Sequence, residues 1–221
     1  MTLPERPILC LVTDRRRLVP ADADVETIRR WLVELAREAA GAGVDFIQVR
    51  ERDLETSALV TLVTSLVDVA RGSTTRILVN DRLDVALVSG AHGVHLASDS
   101  ILPASARAIS PPQFLIGRSV HRIEEAVTHG GSVDYLIAGT VFPTSSKPGS
   151  TRLLGPDGLA EIARATTTPV LAIGGVTMES LPRIAASGAA GVAAIGLFLR
   201  TPMSDVTAAV RSAFDITKAG S

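Results

Sequence analysis

The sequence predicts a (β/α)₈ barrel, and three observations carry that prediction. Eight short apolar segments recur at fairly even intervals along the 221 residues. Most of these segments are continuously apolar rather than alternating, which is typical of parallel strands covered on both faces. Segments with a helical spacing of apolar residues lie between them, and a helix–turn–strand pattern repeats along the chain, as expected when one βα unit is reused.

The predicted strands follow one another from residue 8 to residue 198. They are ILCLVTD (8–14), FIQVR (46–50), RILVN (76–80), GVHL (93–96), FLIGRSV (114–120), DYLIAG (134–139), PVLAIGG (169–175) and GVAAIGLF (191–198). Eight such units in a length near 220 fit a barrel. The alternative is an open, doubly wound sheet, which rarely needs eight units of this regularity.

The segments between the strands are predicted helices. The first, DVETIRRWLVELAREAAGAG, places one apolar stripe along a helix that ends in glycine. That stripe comprises Val25, Ile28, Trp31, Leu32, Leu35 and Ala39. SALVTLVTSLVDVARG and GPDGLAEIARATTT have a similar spacing, and we therefore expect strand and helix to alternate throughout.

The composition favours one domain, residues 1–221, with a barrel core from about residue 8 to residue 200. No Gly/Ser-rich, charged or low-complexity segment separates two halves. Hydrophobic residues make up 46% of the chain and aromatic residues only 3%, so Val, Ile, Leu and Ala must build the core. Cys10 is the only cysteine, which excludes an intrachain disulfide, and its apolar neighbours predict that it is buried.

The charge balance excludes several classes of partner. Lys and Arg total 22 against 23 for Asp and Glu, which argues against a nucleic acid or a membrane surface as the main partner. The first ten residues lack the apolar core of a signal peptide, and no apolar run reaches the roughly 18 residues of a membrane span. We expect a soluble, cytoplasmic protein that acts on small molecules, and the sequence alone leaves a homo-oligomer open.

The polar residues of interest follow the predicted strands, where barrel enzymes carry their chemistry. Gln48 and Arg50 are two residues apart on one strand, so both side chains point to the same face. An unpaired arginine inside a barrel is costly. Arg50 therefore either forms an internal ion pair, with Glu51 or Asp81, or binds an anion, and the other cationic and hydroxyl groups at this rim favour the anion.

Two further strand ends carry polar or glycine-rich sequence. Asp81 is either the N-cap of the helix that follows strand three or a polar group of the site. IGG (173–175) and IGLF (195–198) end strands seven and eight, where exposed backbone N–H groups form the usual phosphate site of such barrels.

The segment VFPTSSKPGS, residues 141–150, offers hydroxyl groups around one ammonium group. Thr144, Ser146 and Lys147 face Arg50 and Arg52 across the predicted rim. This set suits a pyrophosphate together with a divalent cation. The alternative is a solvated surface loop, which a segment rich in Ser, Thr and Pro usually forms.

An ordered set of motifs resembles the thiamine phosphate synthase family. The motifs are LVTDRR, FIQVRERD, LVNDRLDVAL, GVHL, IGRSVH, VFPTSSKPG, AIGG and GAAGVAAIG, and they span residues 8–200. The resemblance implies a barrel enzyme that couples a pyrimidine pyrophosphate to a thiazole phosphate, with Mg²⁺ and loss of pyrophosphate. A close relative in the same family, the thiazole tautomerase, shares the barrel.

The resemblance also implies roles for individual residues. Gln48, Arg50 and Arg52 match one substrate-binding motif, in which Arg52 stands where the family has Lys. Asn80 and Ser119 match residues near the pyrimidine, and Thr144, Ser146 and Lys147 match the pyrophosphate loop, with Arg50 and Lys147 as the catalytic cations. The thiazole-phosphate site is matched by Gly175, Ile195 and Gly196.

For the metal, the resemblance implies Asp81 as one ligand and a second carboxylate at position 100. Ser100 occupies that position here, and Asp99 lies one residue earlier. A non-catalytic protein that binds phosphate ligands is therefore one alternative function. The tautomerase is the other alternative, with His121 as its catalytic residue.

Overall fold

The eight strands form a closed parallel barrel, and the predicted fold is confirmed. The structure is a computed structural model that describes residues 3–5, 7–17, 19–20, 22–144 and 153–219, with side chains as far as residue 215. Each strand pairs in parallel with the next, and β8 closes the barrel on β1. The strands are β1 (Ile8–Val12), β2 (Phe46–Val49), β3 (Arg76–Asn80), β4 (Gly93–Leu96), β5 (Leu115–Val120), β6 (Tyr135–Gly139), β7 (Val170–Ile173) and β8 (Gly191–Ala194).

Helices follow the strands around the outside of the barrel. They are α1 (Val25–Gly41), α2 (Thr56–Ala70), α3 (Leu83–Val88), α4 (Pro103–Ile109), α5 (Ile123–His129), α6 (Gly155–Arg164), α7 (Leu181–Ala186), α8 (Gly196–Arg200) and α9 (Met203–Ala219). Short 3₁₀ turns lie at Arg15–Arg17, Gly130–Ser132 and Met178–Ser180. Among the described helices, none is long and apolar enough to cross a membrane.

Alternate residues of each strand belong to two separate apolar clusters, as the pleat of a strand requires. One cluster fills the interior of the barrel and includes Cys10, Phe46 and Tyr135, all fully buried. The other lies between the strands and the helices and includes Leu11 and Ile47. The predicted burial of Cys10 is confirmed, and its thiol has a pKa raised to about 12 by that burial.

The predicted apolar stripe of α1 is wrong at two positions. Val25 is 54% exposed and Trp31 is 51% exposed. The buried face runs instead through Ile28, Leu32, Ala36 and Ala39. At about 100° per residue Trp31 lies on the flank of that face, and Val25 is the first helical residue, directly after the N-cap Asp24.

Strands seven and eight end earlier than predicted: β7 ends where two glycines turn the backbone, and β8 ends where the chain enters α8. Gly174 and Gly175 have φ angles of 98° and 64°, in the left-handed region that glycine tolerates best. After β8 the chain passes directly into α8, which begins at Gly196. The glycine-rich segment after β7 is therefore a loop, whereas the segment after β8 is the start of α8.

Candidate active site

A cavity of about 630 Å³ opens at the carboxyl ends of the strands. This volume is in the range of small-molecule sites. Many of the residues predicted from the sequence line it: Gln48, Arg50, Arg52, Asn80, Asp99, Ser119, His121, Thr144, Gly175, Ile195 and Gly196. Asp81 and Ser100 are not among the lining residues, and Ser146 and Lys147 lie outside the described residues.

Two guanidinium groups at the end of β2 bring adjacent positive charges to the cavity wall. Neither Arg50 nor Arg52 forms an ion pair with a carboxylate in the described ranges, and Glu51, between them, is held by Arg15 at 3.1 Å. The alternative ion pair of Arg50 with Glu51 or Asp81 is therefore not formed. Burial, followed by the like charge of Arg52, lowers the pKa of Arg50. Such a pair suits an anionic ligand that supplies the missing negative charge.

Inside the barrel mouth, Gln48 and Asn80 form a hydrogen-bonded amide pair. Gln48 Nε2 donates to Asn80 Oδ1 at 2.9 Å. Gln48 is only 3% exposed, and its Oε1 has no hydrogen-bond partner in the part of the chain that the structure describes. A buried acceptor without a donor is costly, so this oxygen is suited to accept from a ligand N–H.

His95, which lines the cavity, and Tyr135, which lies behind it in the barrel interior, form a buried polar group. His95 Nδ1 lies 3.2 Å from Tyr135 Oη, and His95 Nε2 lies 2.9 Å from Ser119 Oγ. Burial lowers the pKa of His95 to about 3 and raises the pKa of Tyr135 well above its ordinary value. Both groups are therefore neutral at physiological pH.

Asp81 does not cap α3, contrary to one of the two alternatives for it. The N-cap position is Arg82, which makes no side-chain capping bond. Asp81 has a φ of 64°, which is uncommon for a residue other than glycine. Its Oδ1 accepts a hydrogen bond from the N–H of Ala97 at 3.3 Å, so the carboxylate lies against the loop after β4.

The loop between β4 and α4 is held by hydrogen bonds from a buried arginine. Arg118 is 4% exposed, and its guanidinium donates to the carbonyl oxygens of Ser98 at 2.8 Å and Ile101 at 3.0 Å. Ser100 N donates to Ala97 O at 3.1 Å, which closes a tight turn. In this conformation the cavity is lined by Asp99 and not by Ser100.

The opposite wall of the cavity is made of glycine-rich backbone. A Cβ atom on Gly175 would lie 2.4 Å from the carbonyl oxygen of Pro143, so a side chain does not fit there. After the adjoining strand β8, a Cβ on Gly196 would lie 3.4 Å from Nη2 of Arg17. Backbone N–H groups and the Arg17 guanidinium thus border the same corner, which suits a phosphate group.

His121 lies at the end of β5 with its ring oriented by the backbone. Its Nδ1–H donates to the carbonyl oxygen of Gly139, and its backbone N–H donates to Glu125 Oε2 at 2.7 Å. In the neutral ring this leaves the lone pair on Nε2. The side chain is exposed at the cavity wall, where a proton acceptor for a bound ligand would have to be.

Comparison with known proteins identifies the family of this barrel. A family model described as thiamine monophosphate synthase matches residues 9–198. The chain belongs to the thiamine monophosphate synthase family. The resemblance seen in the motifs is thereby confirmed, and the chain is an enzyme, a transferase.

Individual relatives agree with this family over most of the chain. A thiamine-phosphate synthase of Methanoregula boonei is 39% identical over 179 residues, covering 80% of this chain and 82% of the relative. One of Chlorobium luteolum is 31% identical over 222 residues, covering 100% and 99%. The solved structure of a thiamine phosphate pyrophosphorylase from Pyrococcus furiosus has a TM-score of 0.79 and 31% identity, covering 95% of this chain and 96% of that one.

Four residues at the site of this synthase-family barrel have no role in the sequence prediction. They are Arg17, His95, Arg118 and Tyr135. Arg17 directly follows the motif LVTDRR, and no role is assigned to it from the sequence. Alternation along β4 and β5 could have placed His95 inside the barrel with Ser119, whereas the buried position of Arg118 on the outer face has no sequence signal.

Proposed function

We propose that the chain joins a pyrimidine pyrophosphate to a thiazole phosphate in the cavity at the barrel rim, and thereby makes thiamine phosphate. The observation that carries the proposal is the distribution of charge around the cavity. Arg50 and Arg52 lie together on one wall. The backbone at Gly175 and Gly196, together with Arg17, forms another. Two separate anionic groups, a pyrophosphate and a phosphate, match these two regions.

The reaction needs positioning and charge more than a nucleophilic side chain. The bond between the pyrimidine methylene carbon and the pyrophosphate oxygen breaks, and its electron pair leaves with the pyrophosphate. The cation left on the methylene is stabilised by the aminopyrimidine ring, and the thiazole nitrogen then forms the new bond to that carbon. Arg50, Arg52 and the loop with Thr144, Ser146 and Lys147 stabilise the negative charge that develops on the leaving group.

The amide pair at the barrel mouth binds the pyrimidine in this proposal. An aminopyrimidine carries an exocyclic amino group, which is a hydrogen-bond donor. Gln48 Oε1, which has no hydrogen-bond partner among the described residues, accepts from that group, while Asn80 Oδ1 holds the Gln48 amide at 2.9 Å. Binding of the amino group therefore satisfies an acceptor that is otherwise buried and unpaired.

The thiazole phosphate binds at the opposite corner. The backbone around Gly175, Ile195 and Gly196 can approach a phosphate closely because the two glycines carry no side chain. Arg17 borders this corner and supplies a charge-assisted contact. This arrangement directs the thiazole ring toward the centre of the cavity, where the pyrimidine methylene lies.

The residues near β3 and β4 fit a Mg²⁺ ion by the chemistry of their donors. Asp99 lines the cavity and Asp81 lies on the adjoining loop, so both offer hard carboxylate oxygens, whereas the Ser100 hydroxyl does not line the cavity. In the described ranges no three His, Cys, Asp or Glu side chains form a metal-binding group. Mg²⁺ commonly uses one or two carboxylates and completes its shell with water and substrate phosphates. When bound, the ion supplies positive charge that offsets the charge of the pyrophosphate.

A coupling assay tests the proposed function. The purified protein is mixed with hydroxymethylpyrimidine pyrophosphate, thiazole phosphate and Mg²⁺, and thiamine phosphate and pyrophosphate are measured together. We expect one pyrophosphate per thiamine phosphate, and none of either product when a substrate is left out. Tight binding of both substrates without product would instead support the non-catalytic alternative. We further propose a cytoplasmic location, since the predicted substrates are charged small molecules.

Replacing Asp99 by Asn tests the assignment of the second carboxylate. We expect the Mg²⁺ concentration for half-maximal rate to rise by about tenfold, because one charge is removed from a weak site. Ser100→Ala is the matched control one residue away, and its Mg²⁺ requirement should stay close to that of the wild type. A raised requirement in Ser100→Ala with none in Asp99→Asn would assign the ligand to Ser100 instead.

Replacing His121 by Ala separates coupling from tautomerisation. We expect coupling to stay within about threefold of the wild-type rate, because no step of the coupling needs a proton acceptor at this position. The Nε2 lone pair of His121 could accept a proton, and the thiazole tautomerase is therefore the second candidate function. Isomerisation of the thiazole precursor is measured on the same preparation. Loss of coupling in a folded His121→Ala protein would show that the imidazole takes part in that reaction.

A further inference from the structure

A series of three polar side chains runs from the interior of the barrel to the cavity wall. Tyr135 Oη lies 3.2 Å from His95 Nδ1, and His95 Nε2 lies 2.9 Å from Ser119 Oγ. Tyr135 is fully buried and does not line the cavity, His95 is 2% exposed and contributes to the cavity wall, and Ser119 lines the cavity beside it. The Tyr135–His95–Ser119 series therefore has one buried end and one end that meets a ligand.

The buried end determines the direction of the hydrogen bonds. The Tyr135 hydroxyl carries a proton that needs an acceptor. Within the described residues, its hydrogen-bond partner is His95 Nδ1. A neutral imidazole that accepts at Nδ1 carries its proton on Nε2. That Nε2–H donates to Ser119 Oγ, so the serine hydroxyl must direct its own proton elsewhere. The reverse direction would leave the buried Tyr135 proton without an acceptor.

The packing around Tyr135 holds this end in place. Its ring stacks on His95 with centroids 5.6 Å apart and lies 5.3 Å from the ring of Phe46. On β5 the facing residue is Gly117, where an added Cβ would lie 2.4 Å from Tyr135 Oη. The hydroxyl therefore occupies space that any larger residue at position 117 would take, and His95 cannot rotate freely beneath Ser119.

We propose that Tyr135 and His95 are positioning residues that fix the Ser119 hydroxyl as a hydrogen-bond donor toward an acceptor atom of the pyrimidine pyrophosphate. The identity of this ligand rests on the function proposed above. The substrate offers two acceptors of the required kind, an unprotonated ring nitrogen and the oxygen that leaves with the pyrophosphate. A serine without this support can rotate and act as donor or acceptor alike, whereas here the donor role is selected in advance.

The tautomer of His95 is tested first, in the free protein. The protein is labelled with ¹⁵N-histidine, ring signals are recorded by NMR, and His95 is assigned from their loss in His95→Gln. We expect the proton on Nε2 and an unprotonated Nδ1. In Tyr135→Phe, which keeps the ring and removes the hydroxyl, the two tautomers should mix. A proton on Nδ1 in the wild type would overturn the proposal, whether or not the protein couples thiamine precursors.

A double-mutant cycle then tests the action through Ser119. We expect Tyr135→Phe to lower kcat/KM for hydroxymethylpyrimidine pyrophosphate by about tenfold in the wild-type background, and by less than about twofold in Ser119→Ala. A rise in KM with unchanged kcat assigns the acceptor to the ring nitrogen. A fall in kcat assigns it to the leaving oxygen. The control is the binding of thiazole phosphate, which should not change. If Tyr135→Phe lowered kcat/KM equally in both backgrounds, Tyr135 would have only a packing role and the proposal would be overturned.

Discussion

Arg50→Ala lowers the rate of coupling by at least about 100-fold, because a guanidinium that contacts the leaving group contributes roughly 3 kcal/mol to the transition state. Arg50 is half-buried at the cavity wall and has no carboxylate partner within the described residues. Its charge is therefore available to the substrate. Arg50→Lys keeps the charge and loses the planar fork, so we expect it to recover only part of the rate.

The matched control is Arg37→Ala on α1. Arg37 pairs with Glu34 on the exposed face of that helix, with 57% of its side chain exposed. A surface pair of this kind contributes little to stability, so activity and folding should both stay close to wild type. If Arg50→Ala retained more than about a third of the wild-type kcat/KM, Arg50 would not contact the leaving pyrophosphate.

Lys147→Ala should have an effect of similar size, at least about 100-fold on turnover. The prediction comes from the motif VFPTSSKPGS, since Lys147 lies outside the described residues. Thr144, three residues earlier, lines the same cavity as Arg50, and this supports the prediction for Lys147. The measurement is the steady-state rate of pyrophosphate release at saturating concentrations of both substrates.

Lys218→Ala, in α9, is the control for Lys147, since it removes the same charge from a part of the sequence outside the matched motifs. Its rate should match that of the wild type. A rate within about threefold of wild type in Lys147→Ala would mean that the loop after β6 does not stabilise the leaving group. The double variant with Arg50→Ala should lose less than the product of the two single losses if both cations act on the same pyrophosphate.

Much of the fold could be predicted because parallel strands leave a strong sequence pattern. The segments RILVN and GVHL were predicted as strands from their β-branched and apolar residues, and the structure has strands with those bounds, Arg76–Asn80 and Gly93–Leu96. The errors lie at element ends and flanks. Gly174 and Gly175 end β7 early through positive φ angles, and the exposed Trp31 shows that a broad apolar stripe does not define which side of it faces the barrel.

The site was predictable where side chains follow strand ends, and less so where they act through the interior. Gln48, Asn80 and Ser119 point into the barrel by simple alternation, and they meet the cavity as expected. Asp81 was ambiguous because an Asp before a helix often caps it, whereas here its φ of 64° turns it toward the next loop. The role of His95 depends on Tyr135, forty residues away, and such a contact exists only once the barrel closes.

A crystal structure of the protein with thiamine phosphate, pyrophosphate and Mg²⁺ tests most directly the assignment of two anion sites to one cavity. We expect the pyrophosphate within hydrogen-bond distance of Arg50 and Arg52, and the phosphate of thiamine phosphate on the backbone of Gly175 and Gly196. The pyrimidine ring should lie between them, with its amino group at Gln48 Oε1. Pyrophosphate bound at Gly175 and Gly196, or both ligands bound outside this cavity, would contradict the account.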